Sequence, residues 1–360
     1  MGRTKNTLKT AIILSLAVII MLKPSYAVDG AKRGISMCFD TVIPSLFLFA
    51  VLSETAYKLG AFSLGVIGTS GARALNIPPT CMCAVIFSFI GGYPVGIRLI
   101  KQEFDKNRID FLTARRLISF CVNAGPGFII NTVGVTVLNS ALSGTAVLFS
   151  VFLSSAVTAL LLSFISKRKN KTPGRNKKPE IRENTDSVSF SDVFTSSVSS
   201  SANAMISISA WIILFSALEN VTFSFIENEN IKMWLRIIFE VTDGVSAARK
   251  LGGMPMCAAA ASFGGICVFM QIFPMLTKMK VRLRDYFIPR IFNAFLSFII
   301  CRAVTGIIPS AVETVKFAPP SASFSSYAVS NAVLLIASGV MIMSDSLTDV
   351  KNLLKKRKST

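Results

Sequence analysis

The residues of this chain with chemical potential lie where its apolar segments break. Asn123-Ala124-Gly125-Pro126-Gly127 interrupts a run that is otherwise apolar from Leu117 to Leu138. Proline and glycine disrupt the helical hydrogen-bond ladder there. Hydrocarbon tolerates the freed N–H and C=O groups only where protein or a watery cavity covers them. A half-helix starting at such a break turns unpaired N–H groups and a partial positive charge toward an anionic group. Asn123, Asn131 and Thr132 would add polar contacts. The plainer reading is a kink where small residues let helices cross. Gly91-Gly92-Tyr93-Pro94-Val95-Gly96 repeats the pattern, with the cation Arg98 close behind. Arg98 reads equally well as an interfacial side chain reaching for water. Glu240, Thr242, Asp243 and Gly244 form a third group. Carboxylates in or beside membrane segments are rare and usually functional, so Glu240 and Asp243 are candidates for a coupling ion or proton; a wet helix end is the alternative. Ser262, Gly264, Gly265 and Gln271 mark a fourth break, and Asp40, Pro44, Ser45 and Glu54 a weaker set.

Other chemistries are excluded by composition. Histidine is absent, which rules out a Ser-His-Asp hydrolase or an HExxH protease. The seven cysteines, Cys38, Cys81, Cys83, Cys121, Cys257, Cys267 and Cys301, match no zinc or redox spacing and read as small apolar packers. The chain is therefore expected to be no enzyme and to use no cofactor or metal.

The elements that position these breaks are membrane helices. The chain of 360 residues is 52% hydrophobic and 16% charged, with mean hydropathy +0.59; a soluble domain averages about 25% charged. Apolar runs cover Ala11–Leu22, Ile35–Tyr57, Thr145–Ile165, Ile206–Phe225, Met254–Leu276, Tyr286–Ile308 and Tyr327–Met343, and roughly 20 residues suffice for a span. The expected fold is an all-α polytopic membrane protein. Arg3, Lys5 and Lys9 ahead of Ala11–Leu22, with Ser25-Tyr26-Ala27 behind, fit a signal peptide or a retained first helix; retention is favoured because the rest of the chain is membrane protein.

The net charge of +19 does not read as nucleic-acid binding. The cations cluster in loops, chiefly Arg98–Arg116, Lys167–Asp186, Lys278–Arg284 and the tail Lys351–Lys358, which the positive-inside rule puts in the cytoplasm. Ile35–Tyr57 then runs inward, Leu117–Leu138 outward, Thr145–Ile165 inward, Ile206–Phe225 outward, Met254–Leu276 inward, Tyr286–Ile308 outward and Tyr327–Met343 inward. Ala61–Ile97 must start and end inside, as a re-entrant hairpin or two short broken spans. Both termini are expected to be cytoplasmic. The segments group as 1–34 (first helix and linker), 35–166 (first membrane repeat), 167–187 (basic loop), 188–348 (second repeat and terminal helices) and 349–360 (basic tail). The repeats match faintly: GGYPVGIRL from Gly91 with FEVTDGVSAARKL from Phe239, and FCVNAGPGFII from Phe120 with AASFGGICVFMQI from Ala260. Matching spans run in opposite directions, as in secondary transporters built from inverted repeats.

These same blocks carry a family resemblance. VIPSLFLFAVLSE from Val42, GGYPVGIRLI from Gly91, ISFCVNAGPGFIINTVG from Ile118, FEVTDG from Phe239 and SFGGICVFMQI from Ser262 resemble the sporulation integral membrane protein family YlbJ, or stage V sporulation protein V. It belongs to the wider group with a nucleoside-recognition (gate) domain. The resemblance covers about Gly30 to Met343. It implies a fold similar to concentrative nucleoside transporters and transport of dipicolinic acid across the outer forespore membrane during sporulation. The expected partners are the lipid bilayer and a small anionic solute, with no nucleic acid; a homo-oligomer stays open. A nucleoside or nucleobase permease and a non-transporting spore-envelope assembly protein remain as alternative readings.

Overall fold

A computed structural model describes residues 2–59, 65–169, 189–279 and 281–307. The span Tyr327–Met343, the basic tail and all but the first residues of the loop Lys167–Asp186 lie outside the described residues. Those described form helices and no strand, and five of their stretches are long and apolar enough to cross a membrane: Pro24–Lys58, Ala141–Ser166, Phe190–Phe223, Val241–Lys278 and Leu283–Gly306.

Helix α1 (Gly2–Leu22) precedes α2 (Pro24–Met37), which passes through a π-helical turn (Cys38–Val42) into α3 (Ile43–Lys58). The helical path thus runs through the boundary expected at residue 34. Packed antiparallel to it, α9 (Phe190–Phe223) has 34 residues, about 51 Å at 1.5 Å per residue and longer than the roughly 30 Å hydrocarbon core. It begins well before the hydropathic run at Ile206. Its serine-rich first turns turn Ser197 and Ser201 inward, so they are helical despite low hydropathy. Gly30 and Gly34 let the backbones touch: a Cβ at Gly34 would sit 2.8 Å from the Ile213 Cα. Such small-xxx-small seams hold helices together where lipid supplies no hydrophobic drive. Asn220 donates to the Tyr26 carbonyl (2.8 Å) at one end, and Lys58 to Ser196 (3.1 Å) at the other.

Helix α4 (Gly65–Leu75) precedes two short helices, α5 (Met82–Gly91) and α6 (Tyr93–Asp105), which fold against each other about Gly92. Gly92 has φ +78° and ψ −167°, a conformation open to glycine and costly for other residues. Residues four positions either side of this apex meet, since a Cβ at Gly96 would lie 2.8 Å from the Ser88 Cβ. This sharp turn falls inside Ala61–Ile97, the stretch expected to hold a re-entrant hairpin or two short broken spans. Helix α7 (Phe111–Cys121), N-capped by Asp110 accepting from the Thr113 N–H (3.0 Å), stops at the expected break. Residues 122–125 are not helical, and a new helix then includes the π-helical turn Phe128–Val137. Helix α8 (Ala141–Lys169) returns along it.

The second half departs from expectation in one respect. Met254–Leu276 is not one span preceded by a loop. Helix α10 (Glu229–Phe239) leads to an apex at Glu240, and α11 (Val241–Phe263) is two arms folded back at Gly252-Gly253, whose backbone is non-helical. The Cys257 thiol reaches the Val245 carbonyl, twelve residues earlier, across this turn. Gly264, at φ +83°, then breaks the chain before α12 (Gly265–Lys278). The doublet Gly252-Gly253 turns the chain back just ahead of the apolar run that begins at Met254. Helix α13 (Leu283–Ile307) closes the described fold, and Arg115 pairs with Asp285 (2.7 Å). This brings the basic stretches Arg98–Arg116 and Lys278–Arg284 together at one end.

Glycine close to neighbouring backbone is a packing requirement here. A methyl group at Gly96 would overlap the Cys121 carbonyl, whereas one at Gly306 meets nothing within 4 Å. Gly96→Ala is expected to cost about 1–3 kcal/mol through overpacking. Gly306→Ala should be neutral or gain about 0.5–1 kcal/mol of helix propensity. Thermal unfolding of the purified variants in detergent measures both.

Candidate functional site

Three breaks meet in the interior: the apex Gly92, the gap 122–125 and Gly264. A Cβ at Gly92 would lie 3.0 Å from the Gly125 nitrogen, and one at Gly264 3.2 Å from the Tyr93 ring. Each helix ending here leaves carbonyls without intrahelical partners, and side chains supply them. At the end of α7, Asn123 Nδ2 donates to the Phe120 carbonyl (2.5 Å) and Asn293 Nδ2 to that of Ser119 (3.3 Å). At the end of α11, the Gly264 N–H serves Ala260 (3.0 Å), the Tyr93 hydroxyl donates to Ala261, and Arg290 Nη1 donates to Ser262 (3.0 Å). Ser297 Oγ donates to Ala258 (3.1 Å) one turn earlier. Arg290, Asn293 and Ser297 share one face of α13 by their spacing. That face is a ladder of donors laid along the broken helices.

Arg290 is the centre of this arrangement. It is 1% exposed. Its Nη1 also donates to Asn123 Oδ1 (3.2 Å), which accepts from Ser155 Oγ as well (3.0 Å). Among the described residues its Nε and Nη2 have no hydrogen-bond partner, and no ion pair includes it. The faces of Tyr93 and Tyr286 lie 6.0 and 5.6 Å from the guanidinium carbon. These rings and the C-terminal dipoles of α7 and α11 stabilise the cation only in part, each helix end carrying roughly half a charge. The N-termini at Gly92 and Gly264 are uncapped by any side chain. The break therefore gathers donors without matching acceptors. A guanidinium with two nitrogens to spare suits a carboxylate, which it can hold by two parallel bonds.

The residues singled out from sequence divide among three places. Gly91, Gly92, Tyr93, Asn123, Gly125, Ser262 and Gly264 lie buried around Arg290. Pro94 is in the first turn of α6, Pro126 follows the gap half-buried, and Gly127 packs against the Ser45 carbonyl and Phe49 ring of α3. Thr242, Asp243 and Gly244 lie at a second place, the apex between α10 and α11. There Glu240 serves as N-cap of α11, its Oε2 accepting from the Thr242 and Asp243 N–H groups (2.7 and 2.9 Å). Gly265 bridges the two places, since a Cβ on it would lie 3.2 Å from the Glu240 nitrogen. Gln271 is half-buried further along α12, donating to the Cys267 sulfur (3.4 Å). Arg98 is elsewhere, paired with Glu54 (3.2 Å) and lining a cavity of about 360 Å³ at the basic end with Lys101 and Lys278. Asn131 is exposed.

Sequence reasoning missed Arg290, Asn293 and Glu219. The signal for the first was present: an arginine inside Tyr286–Ile308 is as unusual as a carboxylate there.

The chain resembles the sporulation integral membrane protein YlbJ of Bacillus subtilis (strain 168). The two are 24% identical over 226 residues, covering 59% of this chain and 55% of YlbJ. The matched part is thus about half the length of that relative. No family model and no solved structure matches the chain. YlbJ is, by its name, a membrane protein of sporulation. Its likeness and the five apolar stretches agree on a polytopic α-helical membrane protein.

Asn123 joins three partners at the break, the Phe120 carbonyl, Ser155 and Arg290. Asn123→Ala leaves the buried Phe120 carbonyl unpaired and removes the acceptor of Arg290 and Ser155, so it should cost at least about 2 kcal/mol. Asn131→Ala, exposed, should stay within about 0.5 kcal/mol. Unfolding in detergent compares the two.

Proposed function

We propose that this protein carries a small anionic solute across the membrane and binds it at Arg290, between the break at 122–125 and the N-termini of α6 and α12. The observation that carries the reading is a fully buried guanidinium with no carboxylate partner among the described residues, at a meeting point of broken helices. An intramembrane cation is costly and is kept where an anion visits. The order of elements supports a carrier: a hairpin (α5–α6) followed by a broken span (α7 to Val137) has a counterpart in a hairpin (α10 and the first arm of α11) followed by a broken span (the second arm and α12). We read these as inverted repeats with the solute between them. The positive-inside rule puts the basic end in the cytoplasm.

Dipicolinate, pyridine-2,6-dicarboxylate, is the solute we favour. It is a small planar dianion whose carboxylates suit a guanidinium and helix N-termini, and the relative YlbJ is a sporulation protein; the outer forespore membrane is the matching location. A neutral nucleoside would leave Arg290 without a counter-charge.

Binding of pyridine-2,6-dicarboxylate to the purified protein, with uridine and adenosine alongside, tests this. The dianion should bind and the nucleosides should not. Folded Arg290→Gln should bind it at least about tenfold more weakly, one charge-assisted pair being worth about 1.5–3 kcal/mol. An unchanged affinity in Arg290→Gln would remove the assignment.

A further inference from the structure

Glu219 lies in the apolar part of α9, is fully buried, and among the described residues neither of its carboxylate oxygens accepts a hydrogen bond. Charged groups from three other elements face it. Arg33 of α2 places Nη2 3.8 Å from Oε1, and Arg236 of α10 places Nε 3.6 Å from the same oxygen. Asp243 of α11 shares Arg33, at 3.2 Å, and its Oδ2 also has no hydrogen bond. Glu240, buried at the apex, and Cys267 of α12 lie close enough to interact with Glu219 electrostatically. Three carboxylates thus face two guanidinium groups. The α11 N-terminus offsets part of the Glu240 charge through its capping bonds, and the cluster still holds more negative charge than its two cations match.

One proton on Glu219 would correct that excess. A metal ion would not suit the place: two arginines share it, and no group of three or more metal-ligating side chains is present among the described residues. Glu219 also has what a titrating group needs, a carboxylate held near cations but bonded to none. A buried intramembrane carboxylate of this kind is a functional group by default.

We propose that Glu219 binds a proton that travels with the solute. The proposal rests on the carrier reading and adds its driving force. Gly265 connects the sites, because its backbone abuts Phe239 and Glu240 on one side and the Gly264 break on the other. When the α10–α11 hairpin moves to open the Arg290 site, Arg236 and Asp243 move relative to Glu219 and Arg33, whose helices are locked together by the Gly30 and Gly34 seam. Glu219 then loses the nearby guanidinium of Arg236 and takes a proton from the water that enters. When the hairpin closes on the other side, Arg236 returns and the proton leaves.

The test uses the full chain in proteoliposomes with the membrane potential clamped at zero and pyridine-2,6-dicarboxylate as probe. Wild-type protein should accumulate the probe with an acidic outside, up to about tenfold per pH unit for each proton carried. Glu219→Gln should lose accumulation while keeping one-for-one exchange of the probe. Glu219→Asp should restore accumulation with a shifted pH dependence. Independently of transport, infrared difference spectra between acidic and alkaline buffer should show a protonated carboxylic acid band that vanishes in Glu219→Gln. Gradient-driven accumulation by Glu219→Gln, or an infrared band that survives the substitution, would overturn the proposal. Absence of exchange by the wild type would instead overturn the carrier reading.

Discussion

A backbone amide has no water to bond to in hydrocarbon, and this fold is organised around that constraint. An unbroken helix meets it automatically. This chain breaks its helices at Gly92, at 122–125 and at Gly264, and so must satisfy the freed carbonyls from outside each helix. The donors are concentrated on one face of α13 and at Asn123 and Tyr93. Each buried group left unpaired would cost about 1–3 kcal/mol. The position of α13, the depth of the breaks and the contact of Tyr93 with Gly264 therefore depend on one another.

The other buried charges show how unusual Arg290 is. Glu103, 1% exposed, accepts from the Tyr57 hydroxyl and pairs with Arg108 at 3.1 Å. Glu54 pairs with both Lys58 and Arg98, and Asp285 pairs with Arg115. Breaking such a pair costs several kcal/mol because it leaves one charge uncompensated. Among the described residues Arg290 stands in that condition, held by the Ser262 carbonyl, the Asn123 amide oxygen and two aromatic faces. These two oxygens satisfy its hydrogen-bonding capacity in part and its charge hardly at all. The Glu219 cluster is the complementary case, with carboxylates in excess.

The sequence made the fold class plain, because apolar runs of span length have few other solutions. It also located the breaks: glycine and proline inside such runs mark Gly92, Gly125 and Gly264 whatever the tertiary contacts. What it hid was the partnership between segments distant in the chain. The fold-back at Gly252-Gly253 was concealed because a glycine doublet between Arg249-Lys250 and the apolar run from Met254 reads equally well as a loop before a span. The start of α9 was concealed because a buried serine face lowers hydropathy without ending a helix. Arg98 seemed the natural cation for the Gly91 break by proximity, yet α6 carries it to the basic end, to Glu54. Arg290, far along the chain from either first-half break, reaches them only through the packing of α13 against α7, α8 and α11.

The central claim is that the meeting point of the breaks is a binding site for an anion. The most direct measurement is an experimental density map of the full-length protein with and without pyridine-2,6-dicarboxylate. The account predicts ligand density against the Arg290 guanidinium, within reach of the N-termini at Gly92 and Gly264. Density only at the basic end beside Arg98, Lys101 and Lys278, or a carboxylate of the chain itself paired with Arg290, would contradict it.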